Sequence, residues 1–210
     1  MKTRIVLSMM AMFLSFGAWA QTDSTNVSDG WEQKSIFKSG NGKISHGFYG
    51  GLITRYGQIS GNGSALIGAK GAWIINHTIG IGISGNSLMN RTKTSANGNV
   101  FSGYTGGNGG IMIEPIIFAD KAVHITLPVV FGGGFVGSYT YFGNDLWDTG
   151  DYVAFGMIEP GIEVELNVIK WFRVSFGAYY AFRSETDSYQ MDTDIISPLS
   201  LGATFKFGKF

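Results

Sequence analysis

The chain has no cysteine, and only 4 prolines and 3 histidines stand among its 210 residues. Without thiols there can be no disulfide staple, no thiolate metal site and no acylated lipoprotein cysteine. Charge of one sign is also lacking: 15 Lys and Arg face 15 Asp and Glu. With no basic surplus to neutralise phosphates, nucleic acid is not an expected partner. Long apolar runs are missing beyond the first twenty residues, where nothing approaches the ~20 residues of a membrane-crossing helix. No useful stretch with helical periodicity and no internal repeat is present.

What is present begins at the N-terminus. Lys2 and Arg4 precede a mostly apolar run over 5–16, and Ala18-Trp19-Ala20 has the small-x-small form of a signal-peptidase site. Residues 1–20 are therefore expected to be a secretory signal peptide, cleaved between Ala20 and Gln21. Its removal would leave a net charge of about −2. Residues 21–45 are polar, with Trp31, Ile36 and Phe37 scattered among them, and are expected to form a flexible periplasmic leader. Glycine is abundant, at 32 residues, and aromatics make up 14%. Glycine at roughly double its average usage, together with export and absent cysteine, points to a β-protein. The remainder, 46–210, suits one domain.

From His46 onward, eight segments alternate apolar and polar with period two: roughly 46–59, 64–76, 79–89, 103–118, 122–138, 152–167, 171–184 and 195–210. Each exceeds the ~9–11 residues that a tilted strand needs to cross a bilayer, and an even strand number suits a single-chain outer-membrane barrel. Tight turns are expected at 76–78, 120–121 and 168–170. Longer polar loops are expected near 90–102, 139–151 and 185–194, with a short connection at 60–64 breaking the trend. Short periplasmic turns opposite longer external loops would place both chain ends in the periplasm.

The two faces of each segment separate two kinds of barrel. Val123, Ile125, Leu127, Val129 and Phe131 share one face, against His124, Thr126 and Pro128. Phe172, Val174, Phe176, Ala178, Tyr180 and Phe182 oppose Arg173, Ser175, Gly177, Tyr179 and Arg183. The second set is small, polar or charged. A soluble lipocalin-like carrier would turn the apolar face inward around a ligand. Here the apolar face forms a nearly unbroken band. Candidate aromatic margins are Trp171, Phe118, Phe205 and Phe207 on one side and Tyr139, Tyr141, Trp147 and Tyr152 on the other, an arrangement that fits lipid. The expected fold class is all-β: an eight-stranded antiparallel up-and-down transmembrane β-barrel with a side-chain-filled interior.

This pattern resembles the small eight-stranded outer-membrane barrels of the OmpA-transmembrane-domain and OmpX kind. The phrases GAKGAWIINHTIGIGI at 68–83 and IEPGIEVELNVIKWFRVSFGAYY at 158–180 look like those of Gram-negative outer-membrane barrel proteins. The resemblance covers about 46–210 and implies fold and location more than activity. It also implies that the terminal Phe210 is similar to the aromatic read by the barrel-assembly machinery, although Phe205 and Phe207 have the opposite parity to it. Outer-membrane lipid is then the surrounding medium, and a monomer is the expected state.

With the apolar face outward, Glu114, Glu159, Glu163 and Glu165 point into the barrel, as do Arg55, Lys70, Arg173, Arg183 and Lys206. Three carboxylates on one face of IEPGIEVELN, 158–167, have an acid/base or metal reading, but a cationic set of similar size shares the same narrow interior. An ionic core that fills the lumen and fixes register is the favoured reading, with Glu165 roughly opposite Arg173. A proton path or narrow pore is an alternative. Gly80-x-Gly82-x-x-Gly85 matches a dinucleotide fingerprint only on paper, since no helix follows it. No cofactor is expected, and no metal. Asp145, Asp148 and Asp151 lack the spacing and terminal glutamate of an EF-hand and read as a solvated loop. A lipid-modifying enzyme needs a nucleophile and base near the outer leaflet, whereas His46, His77 and His124 all fall near the periplasmic side. No catalytic residue is assigned. The expected role is structural, or surface interaction through the external loops, where Tyr141, Phe142, Trp147 and Tyr189 are candidate contacts for an extracellular partner that the sequence does not name.

Overall fold

The structure is a computed structural model that describes residues 44–94, 100–142, 145–185 and 193–210. The expected signal peptide with its Ala20–Gln21 junction, nearly all of the leader, and Tyr189 lie outside the described residues. Ten antiparallel strand segments run through the rest: β1 (His46–Ile59), β2 (Asn62–Ile75), β3 (Ile79–Thr94), β4 (Val100–Ile117), β5 (Val123–Thr126), β6 (Val129–Phe142), β7 (Asp145–Ile169), β8 (Phe172–Tyr180), β9 (Phe182–Glu185) and β10 (Leu199–Lys209). β5 and β6 are two halves of one barrel strand lying between β4 and β7. β8 and β9 share another, both pairing with β7. β1 pairs with β2 on one side and with β10 on the other, so the wall closes into a ring of eight strands with no free edge.

The four prolines explain where the wall is interrupted. Each removes a ladder donor. Pro128 occupies the gap between β5 and β6, and its carbonyl accepts from Gly161 N at 2.7 Å. Pro115 lies beside the same gap and accepts from Leu127 N at 2.9 Å. Pro160 pairs across from Val129, where β6 restarts. Pro198 precedes β10 and accepts from Ala181 N at 2.8 Å, bridging the break between β8 and β9. The donors lost at prolines are thus concentrated at two breaks in the wall.

Turns at the end where Ser45 and Phe210 lie, the terminal end, are short, as the sequence implies. Asn76 and His77 both take positive φ, 51° and 58°, to reverse the chain between β2 and β3. At the far end, Ser60 and Gly61 have φ of 47° and 74° between the paired Ile59 and Asn62. Positive φ at both central residues is the turn whose twist matches a two-residue hairpin.

The longer loops are a correction. β3 and β4 continue to Thr94 and from Val100, and β6 and β7 continue to Phe142 and from Asp145. Residues 139–142 and 145–151 belong to β6 and β7 and pair with each other up to Phe142 and Asp145, so Asp145, Asp148 and Asp151 lie within β7 and not in a loop. The sequence hides this because 143–151 is polar apart from Leu146 and Trp147 and shows no clean two-residue alternation. Period-two alternation is lost while the ladder propagates unchanged from the wall below. Tyr139 is a second correction. It is buried, its hydroxyl donating to Asn90 O at 3.1 Å, instead of joining an outer aromatic margin. The register shift between Gly137 and Tyr139 flips the facing of the strand.

The outside is apolar, with Phe48, Leu52, Ile67, Ile83, Ile111, Phe131 and Phe176 all exposed. Trp171, Phe118, Phe205 and Phe207 stand on the outer surface at the terminal end, and Tyr152 toward the other. Trp171 stacks on Phe207 at 6.2 Å and Phe207 on Phe172 at 4.8 Å. Inside lie the ionised side chains and a smaller apolar group containing Tyr49, Ala72, Ile74, Met112, Ile116, Val130, Phe155 and Met157. Glycines keep the wall thin where β4 meets β6: a Cβ on Gly110 would stand 2.1 Å from Phe131 O, and one on Gly132 2.0 Å from Gly109 O. The glycines of the paper fingerprint, Gly80, Gly82 and Gly85, lie inside β3, which runs on without a helix.

Candidate functional site: the ionic lumen

Alternation along each strand delivers the charged side chains to one place. Odd positions of β7 point inward, so Glu159, Glu163 and Glu165 descend in a column on one strand. Arg55 comes from β1, Lys70 from β2, Glu114 from β4, Arg173 from β8, Arg183 from β9 and Lys206 from β10. Glu163 is 0% exposed, and Glu114, Glu165 and Lys206 are each 1% exposed.

Lys206 is the hub. Its ammonium donates to Glu114 and to Glu165, and lies 3.4 Å from Glu163 Oε2. Lys70 Nζ approaches the same group from the opposite wall, at 2.6 Å from Glu163 Oε1 and 3.7 Å from Glu114 Oε2. Glu163 also accepts from Ser175 Oγ at 2.7 Å, Thr126 Oγ1 at 3.3 Å and Tyr179 OH at 2.8 Å. The Tyr49 hydroxyl donates to Glu114. Burying a carboxylate alone costs several kcal/mol, and excellent geometry with further hydrogen bonds is what offsets that penalty. Glu163, the most enclosed of the group, has both.

Toward the terminal end, Glu165 Oε1 accepts from Arg173 NH1 at 3.0 Å and lies 3.0 Å from His124 Nε2. The register sets Glu165 across from Ser175 and Asn167 across from Arg173. The Glu165–Arg173 contact is therefore diagonal rather than directly opposed. The Arg173 guanidinium lies over the Phe210 ring at 3.9 Å, and that ring stacks on Tyr49 at 5.9 Å. Phe210 thus turns toward the lumen, while Phe205 and Phe207 face outward, which is the structural content of their opposite parity.

Further from the termini, Arg55 NH1 donates to Glu159 Oε1 at 2.6 Å, and its guanidinium rests 3.5 Å from the Tyr179 ring centre. Arg183 differs from the other cations. It donates to the carbonyls of Ile196 at 3.1 Å and Ser197 at 3.4 Å, and its guanidinium lies 5.5 Å from the Phe155 ring centre. Beyond it the lining mixes amides and hydroxyls with buried apolar side chains such as Leu88, Val136 and Val153: Asn86 donates to Asn108 at 3.2 Å and Asn90 to Ser64 at 2.7 Å.

All nine charged residues singled out from the sequence point inward, and eight of them form carboxylate–cation contacts. Sequence reasoning missed Tyr49, His124, Thr126, Ser175 and Tyr179 as members of the network. Parity was the available signal, because each shares the inward face of its strand with a charged residue or faces one across a ladder, as His124 faces Glu165. Of the candidate loop aromatics, Tyr141 and Phe142 end β6 and Trp147 lies near the start of β7, but their side chains fall outside the described residues.

Oxygens of Glu114, Glu163 and Glu165 lie within 4.8 Å of one another, a spacing that a metal ion could bridge. The Lys206 ammonium contacts all three, so the positive charge such a cluster requires is supplied by the chain itself. Ser175 donates to Glu163, and His124 Nε2 lies against Glu165, so both side chains are engaged within the cluster. The arrangement stores paired charge and fills the barrel.

No family model and no curated protein sequence matches the chain. Among solved structures, it is similar to Neisserial surface protein A, at 11% identity and a TM-score of 0.52, covering 80% of this chain and 99% of that one. Weaker likenesses are to Ail, the attachment invasion locus protein of Yersinia pestis (12% identity, TM-score 0.47, 77% and 97% covered), and to a major outer membrane protein of Thermus thermophilus (9%, 0.41, 76% and 99%). The fold is that of the small eight-stranded outer-membrane β-barrels.

Proposed function

We propose that the protein resides in an outer membrane as a sealed barrel whose role is structural or surface interaction, without catalysis. The observation that carries the reading is the inversion of polarity: apolar residues cover the outside while Glu163, Glu165, Glu114 and Lys206 are sealed within. A water-soluble carrier would gain nothing from exposing Ile67 and Ile83 at 70% and 69%, whereas a lipid environment makes that exposure favourable. In this reading the chain termini are periplasmic and the far-end hairpins face the outside. The filled lumen supports a plug over a pore.

Surface contacts belong to the hairpin formed by β6 and β7, which extends ten residues of β7, 145–154, beyond the last pairing with β9 at Phe155. Tyr141, Phe142, Trp147 and Tyr189 are the aromatics assigned to an extracellular partner. Phe210 is the group assigned to recognition by the barrel-assembly machinery. Because its ring stacks on Tyr49 under Arg173 in the closed barrel, that recognition precedes closure. The barrel acts as a monomer.

Fractionation of cells expressing the full chain tests the location, with boiled and unboiled samples compared by electrophoresis. A heat-modifiable band in the outer-membrane fraction is expected; recovery in the soluble periplasm refutes it. For the surface role, shortening the β6–β7 hairpin by excising 139–148 should abolish whole-cell adhesion to extracellular surfaces while leaving heat modifiability intact. Unchanged adhesion removes the hairpin from the function.

A further inference from the structure

The wall changes character above the last pair of β8 and β10. These strands share a ladder from Phe172 and Phe207 to Tyr180 and Leu199. One more backbone bond follows, from Ala181 N to Pro198 O at 2.8 Å. Then the two sides part. β9 keeps to β7, pairing Phe182 with Ile158 and Glu185 with Phe155. Residues 195–197 go over to β1 instead: Ser197 N donates to Gln58 O at 2.8 Å, Ser60 N donates to Ile195 O at 2.7 Å, and Ile59 bridges Ile196. Among the described residues no backbone hydrogen bond joins 182–185 to 193–197. The seam between them is spanned by the Arg183 side chain, which donates through NH1 to Ile196 O at 3.1 Å and through NH2 to Ser197 O at 3.4 Å.

The segment that Arg183 holds covers an interior space. Ile196 is half-buried and packs on the inner apolar group. It lines a cavity of about 30 Å³ together with Leu88 of β3, Asn108 of β4, Val136 of β6 and Phe155 of β7, so it reaches over the middle of the barrel. Ile59, the last residue before the turn at 60–61, is 0% exposed beneath its bridge to Ile196. Closing the seam gains two hydrogen bonds from a charged donor but leaves Arg183 Nε and Asn86 Oδ1 buried without a hydrogen-bond partner. Water entering an open seam satisfies both atoms, so opening recovers part of what the two bonds supply. A segment held across a seam by one side chain in place of a ladder belongs to the low-stability end of a fold.

We propose that residues 195–198 are a strap over the far half of the lumen and that Arg183 is its latch. Release of the two carbonyls opens the seam and exposes the space around Asn86, Asn108 and Val136 to solution, while the ionic hub near the termini stays closed. The device goes beyond the surface role and stands whether or not the hairpins bind a partner.

The test places single cysteines in the full chain, purified in detergent, and follows their modification by a charged, water-soluble methanethiosulfonate. Val136→Cys reports on the cavity under the strap and Thr204→Cys on the hub side, both positions being 0% exposed. With Arg183→Met the cysteine at 136 should react about tenfold faster or more, and Arg183→Lys, which keeps a charged donor, should restore most of the protection. The cysteine at 204 should stay unreactive in all three backgrounds. In the chain that retains Arg183, low urea should expose position 136 before position 204, a readout that does not depend on any latch variant folding. Equal rates at 136 with and without Arg183 overturn the latch. Acceleration at 204 alongside 136, or simultaneous exposure of the two in urea, overturns the local opening, because the whole barrel would then be loosening.

Discussion

The two halves of the lumen are built on different principles. Near the termini, three carboxylates and three cations from five strands meet at Lys206, with tyrosine, serine, threonine and histidine completing their hydrogen bonds. Beyond Arg55 and Glu159, amides pair with amides and hydroxyls, and Arg183 stands without a carboxylate among the described residues. The first half ties the wall together by charge between distant strands: Lys206 and Glu114 are 92 residues apart in sequence, and Lys70 and Glu163 are 93 apart. The second leaves the wall joined mainly by its backbone ladders. A register slip of one residue in any strand of the first half would swing a charge into the apolar exterior, so that half fixes alignment while the second tolerates change.

The largest effect that this contrast predicts is at the hub. Lys206→Met leaves three buried carboxylates with Lys70 and Arg173 as their remaining cations and should lower stability by roughly 5 kcal/mol, read by urea titration of the mobility shift between folded and unfolded barrel. A loss no larger than that of a far-half mutation would erase the distinction between the halves. Next comes the boundary pair. Arg55→Met alone should destabilise by about 3 kcal/mol by isolating Glu159, whereas Arg55→Met combined with Glu159→Met should recover most of that loss. Additivity of the two single changes in this double-mutant cycle would show that they act independently.

In the far half the effects shrink. Asn86→Ala removes one neutral hydrogen bond, and a loss of about 1 kcal/mol is expected. Arg183→Gln should change stability by under about 0.5 kcal/mol, because no carboxylate among the described residues is ion-paired to it. A destabilisation by Arg183→Gln comparable to that of Lys206→Met would mean that the second half is as tightly charge-coupled as the first.

Much of the architecture is legible in the sequence for a simple reason. Within the apolar band, each strand separates two environments, lipid-like outside and ionic inside, so alternation such as Val123-His124-Ile125-Thr126 states the facing residue by residue. β1 is read at its observed ends, 46–59, because it never leaves that band. Legibility fails where the two faces are alike. The outer end of β6 and β7 has no apolar face in its sequence pattern, so 139–151 reads as a loop though its ladder continues to Phe142 and Asp145. Tyr139 is misplaced because a bulge shifts parity without changing composition. The inward set of nine charged residues follows from parity alone, but which carboxylate meets which cation does not. Pairing depends on strand stagger, which no residue type announces and which sets Arg173 diagonal to Glu165. Arg183 could be placed inside, but not recognised as bonding the carbonyls of Ile196 and Ser197.

The claim beneath all of this is the direction in which side chains face, and the absence of cysteine makes it directly measurable. Ile83→Cys and Thr204→Cys, each carrying a spin label, would be reconstituted into lipid vesicles and their collision rates with oxygen and with a water-soluble nickel chelate compared. The label at position 83 should collide with oxygen and be shielded from nickel, as a group in hydrocarbon is, while the label at position 204 should be shielded from both. Strong nickel collisions at position 83 would contradict the account and place the apolar wall in water.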